Sequence, residues 1–132
     1  MDTADAARRW ADTWKNAWEA KDTEALVALY GVDVVFSTQP FRTPYLRRAG
    51  VREYVSQAFA EEDGPRVWVG DPIVEGNRAA IEWWAALVEN GTETTLAGTS
   101  VLRFDDDGLV VEQRDTWNQA VGRREPPDSW GR

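Results

Sequence analysis

The residues of this chain that can do chemistry are carboxylates, tyrosines, lysines and arginines, because the sequence holds no histidine and no cysteine. Without histidine there is no Ser–His or Cys–His nucleophile pair and no imidazole general base. Without cysteine there is no thiolate chemistry, no disulfide and no ordinary structural zinc site. Eight tryptophans stand against that gap; indoles more often fill a core, but they also supply flat apolar walls to a pocket. Among the remaining groups Asp115 stands out, in the run Arg114-Asp115-Thr116-Trp117. A carboxyl set among indoles in a concave apolar site is desolvated, which disfavours its charged form and raises its pKa. Such a group serves as general base or general acid near neutral pH. Ser100 and Gln113 are candidates to orient it, and Tyr30, Tyr45 and Tyr54 are candidate donors to a substrate oxygen.

Composition narrows the partners. With 132 residues, 42% hydrophobic and 29% charged, the chain suits one globular domain with one core. Its net charge of −8 weighs against nucleic acid and against an anionic membrane surface, both of which need a basic face. No apolar run approaches the ~20 residues of a membrane span. Residues 1–9 carry charge with no apolar stretch behind them, so no secretory signal is expected. The expectation is a cytoplasmic protein with no cofactor and no metal.

The elements that must position Asp115 follow from periodicity. Ala7, Trp10, Ala11, Trp14 and Trp18 recur at spacings of three and four, predicting a helix with one apolar face. Asp22 is a good N-cap for a short second helix carrying Ala25, Leu26, Leu29 and Tyr30, stopped by Gly31. Residues 32–38 read as a strand and 39–45 as a proline-containing loop. Gly50 with Glu53 marks a third helix that buries Val51, Tyr54, Val55, Ala58 and Phe59. The period then changes to two. Strands are expected over 66–75, 78–89, 92–104 and 109–119, separated by Glu75-Gly76-Asn77, Asn90-Gly91 and Asp106-Asp107-Gly108. Residues 1–120 form the domain and 121–132 a poorly ordered tail. Helices followed by an antiparallel meander predict an α+β fold, with three N-terminal helices on a strongly curved, mainly antiparallel sheet that forms a cone-shaped pocket.

The turns set the register. With Asn90-Gly91 as a two-residue turn, Trp83 lies opposite Gly98 and Ile81 opposite Ser100. Opposed residues share a face, so Ile81, Trp83, Ala85, Leu87, Leu96, Gly98, Ser100, Leu102 and Phe104 form the apolar, inner one. Glu82, Trp84, Thr99, Val101 and Arg103 lie outside, with Glu82 expected to pair with Arg103 or Arg114. With Asp107-Gly108 as a two-residue turn, Ser100 meets Asp115 and Gly98 meets Trp117. With Gly76-Asn77 likewise, Trp68 meets Ala85, inside. A three-residue loop at Asp-Asp-Gly would slip the register by one and turn Arg114 inward instead. The expected ligand wall is Trp14, Trp18, Phe36, Tyr54, Phe59, Trp68, Trp83, Ser100, Gln113 and Trp117, around a catalytic Asp115. An inward Asp115 has a second reading, as a hydrogen-bonded structural anchor, and the indole stripe has one as plain core. Trp84 and Val101, apolar and uncovered, suggest a homodimer patch.

Several segments in order resemble SnoaL-like proteins of the nuclear-transport-factor-2-like superfamily. They are Trp14-Lys-Asn-Ala-Trp18-Glu-Ala-Lys-Asp22, Leu29-Tyr30, Asp33-Val-Val-Phe36, Ala80-Ile-Glu-Trp83, Ala97-Gly-Thr-Ser100 and Asp107-Gly-Leu-Val-Val-Glu-Gln-Arg-Asp115-Thr-Trp117-Asn118. The resemblance covers residues 4–119 and implies a cone-shaped pocket and frequent dimerisation through the outer sheet face. It implies no single activity, since the superfamily includes polyketide cyclases, ketosteroid isomerases, limonene epoxide hydrolases, dehydratases and non-catalytic binding domains. In the epoxide hydrolases a similar Arg-Asp-aromatic segment supplies a catalytic aspartate, which matches Asp115. Those enzymes also place an Arg and an Asp two residues apart on the earlier strand, where this chain has Trp83 and Ala85. That departure argues against epoxide hydrolysis. It leaves an isomerase or cyclase acting on a small apolar molecule, or a non-catalytic ligand-binding or dimerisation domain.

Overall fold

A computed structural model describes all residues, Met1–Arg132. Helices α1 (Thr3–Ala20), α2 (Thr23–Val27) and α3 (Arg47–Glu61) pack on a sheet of seven strands. These are β1 (Tyr30–Ser37), β2 (Tyr45–Leu46), β3 (Glu62–Val69), β4 (Ile73–Glu75), β5 (Arg78–Glu89), β6 (Thr92–Phe104) and β7 (Val110–Val121). The sheet runs β2-β1-β7-β6-β5-β3, with β4 also on β5. Only β1 and β7 pair in parallel. The sheet curls without closing, giving the α+β cone that the sequence predicts. No helix is long and apolar enough to cross a membrane.

Helix α1 starts at Asp2, whose carboxylate accepts from the Asp5 N–H at 2.8 Å, a cap worth about 1 kcal/mol. Its apolar stripe turns Ala7, Trp10, Ala11 and Trp18 into the core. Its polar flank has a second task. Strand β3 is an edge, with unpaired backbone groups, and α1 closes it: the Val67 N–H donates to Glu19 at 2.8 Å, and Lys15 donates to the Val67 carbonyl at 3.0 Å. Lys21 donates to the carbonyls of Phe59 and Glu62. Asp22 caps α2 as expected, accepting from the Ala25 N–H. That helix ends at Val27, however, so Tyr30 and Gly31 open β1 rather than closing a helix. Helix α3 begins at Arg47, ahead of Gly50, with no side-chain cap.

The register of β5 on β6 is as expected, with Trp83 opposite Gly98 and Ile81 opposite Ser100. Strand β7 also places Asp115 opposite Ser100 and Trp117 opposite Gly98, by a different route. The turn is a three-residue loop, Asp106–Gly108, in which the Asp105 N–H donates to the Leu109 carbonyl and Gly108 takes a φ of 79°. A bulge then leaves Val111 unpaired, since Phe104 meets Val110 while Arg103 meets Glu112. The extra residue in the loop and the extra residue in the bulge offset each other.

No such compensation occurs in β3. Glu75 meets Arg78 at the expected turn, but Gly70–Pro72 interrupt the strand, and Val67 rather than Trp68 faces Ala85. Trp68 is therefore on the outer face, with the Arg66 guanidinium 4.7 Å from its ring centroid. On that face Glu82 makes no ion pair; Glu112 takes Arg114 at 3.1 Å and Arg103 at 3.9 Å. The C-terminal segment returns to this side. The Gly122 N–H reaches the Glu93 carbonyl, the Arg124 N–H reaches Thr95 Oγ1, and the Asp71 N–H reaches the Gly131 carbonyl. Trp130 sits edge-on to Trp84 at 6.5 Å.

Candidate active site

Between the helices and the concave face lies a cavity of about 310 Å³. Its size is near the lower end of the ~300–1,000 Å³ usual for small-molecule sites. Of the residues proposed from sequence, Trp14, Trp18, Tyr54, Trp83, Ser100, Gln113, Trp117 and Asp115 line it. Three do not. Phe36 is fully buried behind the wall, against Tyr30 and Tyr54. Phe59 packs edge-on to Trp18 at 4.8 Å. Trp68 lies on the other side of the sheet. Trp10, Val67 and Val69 take their places.

Two hydrogen-bond chains converge on Asp115. In the first, Trp83 Nε1 donates to Ser100 Oγ at 3.0 Å, and Ser100 donates to Asp115 Oδ1 at 2.6 Å. In the second, Trp14 Nε1 donates to the Tyr30 hydroxyl at 3.1 Å, and Tyr30 donates to Gln113 Oε1 at 2.5 Å. Trp10 Nε1 donates to the same Gln113 oxygen at 3.2 Å. Two donors on that oxygen fix the amide orientation, so Gln113 Nε2 must face Asp115 Oδ1, to which it donates at 3.0 Å. Asp115 Oδ1 thus carries both bonds. Oδ2 has no partner in the protein, yet it is not among the sealed unsatisfied atoms, which are Arg9 Nε and Thr38 Oγ1. It is the oxygen left for a ligand.

Burial pushes the Asp115 carboxyl up to about 7, against the opposing pull of the bonds from Ser100 and Gln113. Burial likewise holds the hydroxyls of Tyr30 and Tyr54 protonated well above the usual tyrosine range. Tyr30 spends its proton on Gln113. Tyr54 lines the cavity with no partner on its hydroxyl, and the charge of Asp115 is close enough to oppose its ionisation further. Trp117 donates to the Thr38 carbonyl at 2.7 Å and lies across Gly98, where a Cβ would come within 2.6 Å of the Trp117 Cβ. Only glycine leaves that ring its seat.

A second buried carboxyl, Glu62, also lines the cavity. Burial pushes it up to about 7, opposed by the bond that Trp18 Nε1 donates to Oε1 at 3.0 Å. The sequence reading passed over it because it lies where α3 gives way to β3. A signal was present: Val55, Phe59 and Glu62 continue one helical stripe at spacings of four and three, so this member of Glu61-Glu62-Asp63 faces inward. No group of three or more carboxylates is placed to hold a metal ion.

The sequence profile of the SnoaL-like domain matches residues 7–113. No curated protein matches the chain by sequence. Among solved structures, SalBIII, an epoxide hydrolase/cyclase-like enzyme of pyran ring formation in the polyether salinomycin, superposes with a TM-score of 0.80. It is 16% identical, over 92% of this chain and 98% of that one. RV0760c from Mycobacterium tuberculosis gives 0.78 at 16% identity, over 92% and 99% of the two chains. An LEH-like epoxide hydrolase from M. tuberculosis gives 0.73 at 19% identity, over 89% and 86%. At these identities the structures establish the shared fold. The profile match spans most of the chain, ending two residues short of Asp115, and on it the chain belongs to the SnoaL-like family of pocket proteins.

Proposed function

We propose that the cavity binds a small, mostly apolar, carbonyl-containing molecule and that Asp115 moves a proton on it, in an isomerase- or cyclase-type reaction. The observation that carries this reading is the division of labour within one carboxyl: Oδ1 is fixed by two donors and Oδ2 is free. Ionised Asp115 takes a proton through Oδ2 from the carbon beside the carbonyl, and the C–H electron pair moves into an enolate. Tyr54 donates a hydrogen bond to the enolate oxygen. The protonated carboxyl then returns the proton to another carbon, completing an isomerisation, or the enolate carbon attacks a second carbonyl of the same molecule, closing a ring while that carbonyl's oxygen takes the C=O electron pair and then the proton from Asp115. A carboxyl brought near neutrality suits both directions of transfer. SalBIII, with the same fold, is cyclase-like and acts in pyran ring formation, so the fold accommodates ring closure. The inner positions of β5, Trp83 and Ala85, offer no partner for opening an epoxide.

The test is hydrogen–deuterium exchange, followed by NMR, at carbons next to the carbonyl in a panel of apolar ketones. Wild-type protein should accelerate exchange, and Asp115→Asn should lower the rate by ~10²-fold or more. An Asp115 that titrates near the ~3.9 of a free aspartate ends the catalytic reading. The absence of a second acid or base beside Asp115 favours one alternative, a non-catalytic binding domain. In that case ketones bind wild type and Asp115→Asn alike and exchange in neither. The same proposal includes a cytoplasmic location and a homodimer through the outer face around Trp84 and Val101.

A further inference from the structure

Asp115 and Glu62 sit at opposite ends of a ladder of rings. The centroids of Trp10 and Trp14 are 5.3 Å apart, and those of Trp14 and Trp18 are 5.0 Å apart, the latter pair stacked at 15°. Trp10 is tied to Gln113, the neighbour of Asp115, while Trp18 is tied to Glu62. Every indole on the cavity wall spends its N–H inside the protein, on Gln113 and Tyr30, Tyr30, Glu62, Ser100 or the Thr38 carbonyl. A ligand therefore meets π faces and ring edges from these residues, and no donor.

Glu62 is 6% exposed and forms no ion pair. Lys21, the cation whose charge is felt at Glu62, gives its ammonium to main-chain carbonyls. Trp18 takes Oε1, while Oε2 has no partner and is not sealed. Four carboxyls, Glu61, Glu62, Glu89 and Asp115, line the cavity against one guanidinium, Arg42. A buried acceptor beside indole faces, approached through an acidic surround, matches one ligand chemistry. A protonated amine supplies the charge-assisted donor that Oε2 lacks, is attracted to the aromatic faces, and is drawn in by the surrounding charge.

We infer that Glu62 is a ligand anchor, and that the natural ligand is a flat apolar molecule carrying a basic nitrogen at the end away from Asp115. This rests on the pocket reading above and adds the substrate class to it. The nitrogen docks on Glu62, the apolar body lies along Trp14 and Trp18, and the reacting end is presented to Asp115 Oδ2.

The test uses the full chain at pH 8.5 and two probes of equal shape, 2-(aminomethyl)naphthalene and 2-(hydroxymethyl)naphthalene, titrated by calorimetry. Wild type should bind the amine at least tenfold more tightly than the alcohol. Glu62→Gln keeps an oxygen for Trp18, and a near-ultraviolet circular dichroism spectrum matching wild type reports an intact cavity wall. The variant's preference for the amine should fall to within twofold. Asp115→Asn should keep the preference. Equal affinities in wild type overturn the anchor, as does a preference that survives in Glu62→Gln or vanishes in Asp115→Asn. If the amine preference is missing while ketone exchange still depends on Asp115, this inference falls alone. If neither probe binds at millimolar concentration, it falls together with the pocket reading.

Discussion

On the concave side of the sheet Trp10, Trp14, Trp18, Trp83 and Trp117 each donate their N–H to a named acceptor, while on the convex side Trp68, Trp84 and Trp130 donate to none. The concave indoles are held in place twice, by packing and by a directed bond, and four of the five bonds feed the two buried carboxyls directly or through one or two intermediaries. The convex indoles cover surface: Trp68 lies under Arg66, and Trp84 lies against Trp130. One residue type thus does two jobs, and the hydrogen bond separates them. A tethered ring cannot rotate away when a ligand enters, so the cavity wall is preorganised.

The largest test of that difference is truncation. Trp10 is 1% exposed and holds Gln113. Trp10→Ala should cost ~3–5 kcal/mol by cavity formation and loss of the bond to Gln113. Trp84→Ala, on a half-buried ring with no hydrogen bond, should cost about 1 kcal/mol. Urea denaturation of the two variants measures both, and similar losses would erase the distinction between the faces.

A smaller effect tests whether the concave network serves a proton rather than the fold. Burial raises Asp115 from 3.8 in the unfolded chain to about 7 in the folded one. Between those values the folded state holds a proton that the unfolded state has lost, so stability falls as pH rises from about 4 to about 7 and then levels off. Glu62, raised from 4.5 to about 7, adds to the same trend. For Asp115 the loss is on the order of a few kcal/mol. Asp115→Asn resembles the protonated acid and should match wild type near pH 4 and exceed it at pH 8, as read from denaturation midpoints. A variant more stable but less active places the carboxyl among groups kept for chemistry at the expense of stability. Parallel pH curves for the two proteins would make Asp115 an ordinary structural residue.

What was legible in the sequence tracks the length over which chain geometry is local. The Asn90-Gly91 hairpin fixed twelve pairs correctly because one tight turn joins two uninterrupted strands. Asp115 lies opposite Ser100 although the Asp-Asp-Gly turn takes its three-residue alternative, because a bulge at Val111 cancels the one-residue slip that this loop alone would cause. Trp68 failed for the same kind of reason without a cancelling bulge, because the break at Gly70–Pro72 shifts β3 by one residue. The tethering of the indoles was not legible at all. Trp14, Tyr30, Gln113 and Asp115 meet across α1, β1 and β7, and only the closed fold brings those elements together.

The smallest expected effect concerns the convex side. The C-terminal segment lies over the face proposed for a homodimer, and its seat is tight: a Cβ on Gly131, at a φ of 77°, would come within 2.8 Å of the Gly70 Cα. Trp130→Ala should therefore cost less than about 1 kcal/mol while uncovering Trp84. Gly131→Ala leaves the indole in the chain but disturbs the seat, and should act in the same direction. If the convex face pairs with a second copy, both variants should self-associate more strongly than wild type in sedimentation equilibrium, because the segment competes with the partner for Trp84. Weaker association in both would make the segment part of the interface itself, with Trp130 reaching the partner. A chain that stays monomeric in all three forms removes the dimer from the proposal and leaves Trp84 and Trp130 as an intramolecular clasp. The concave face should respond to none of this: Asp115 and its two hydrogen-bond chains point away from the segment, so ketone binding should be the same in wild type and both variants.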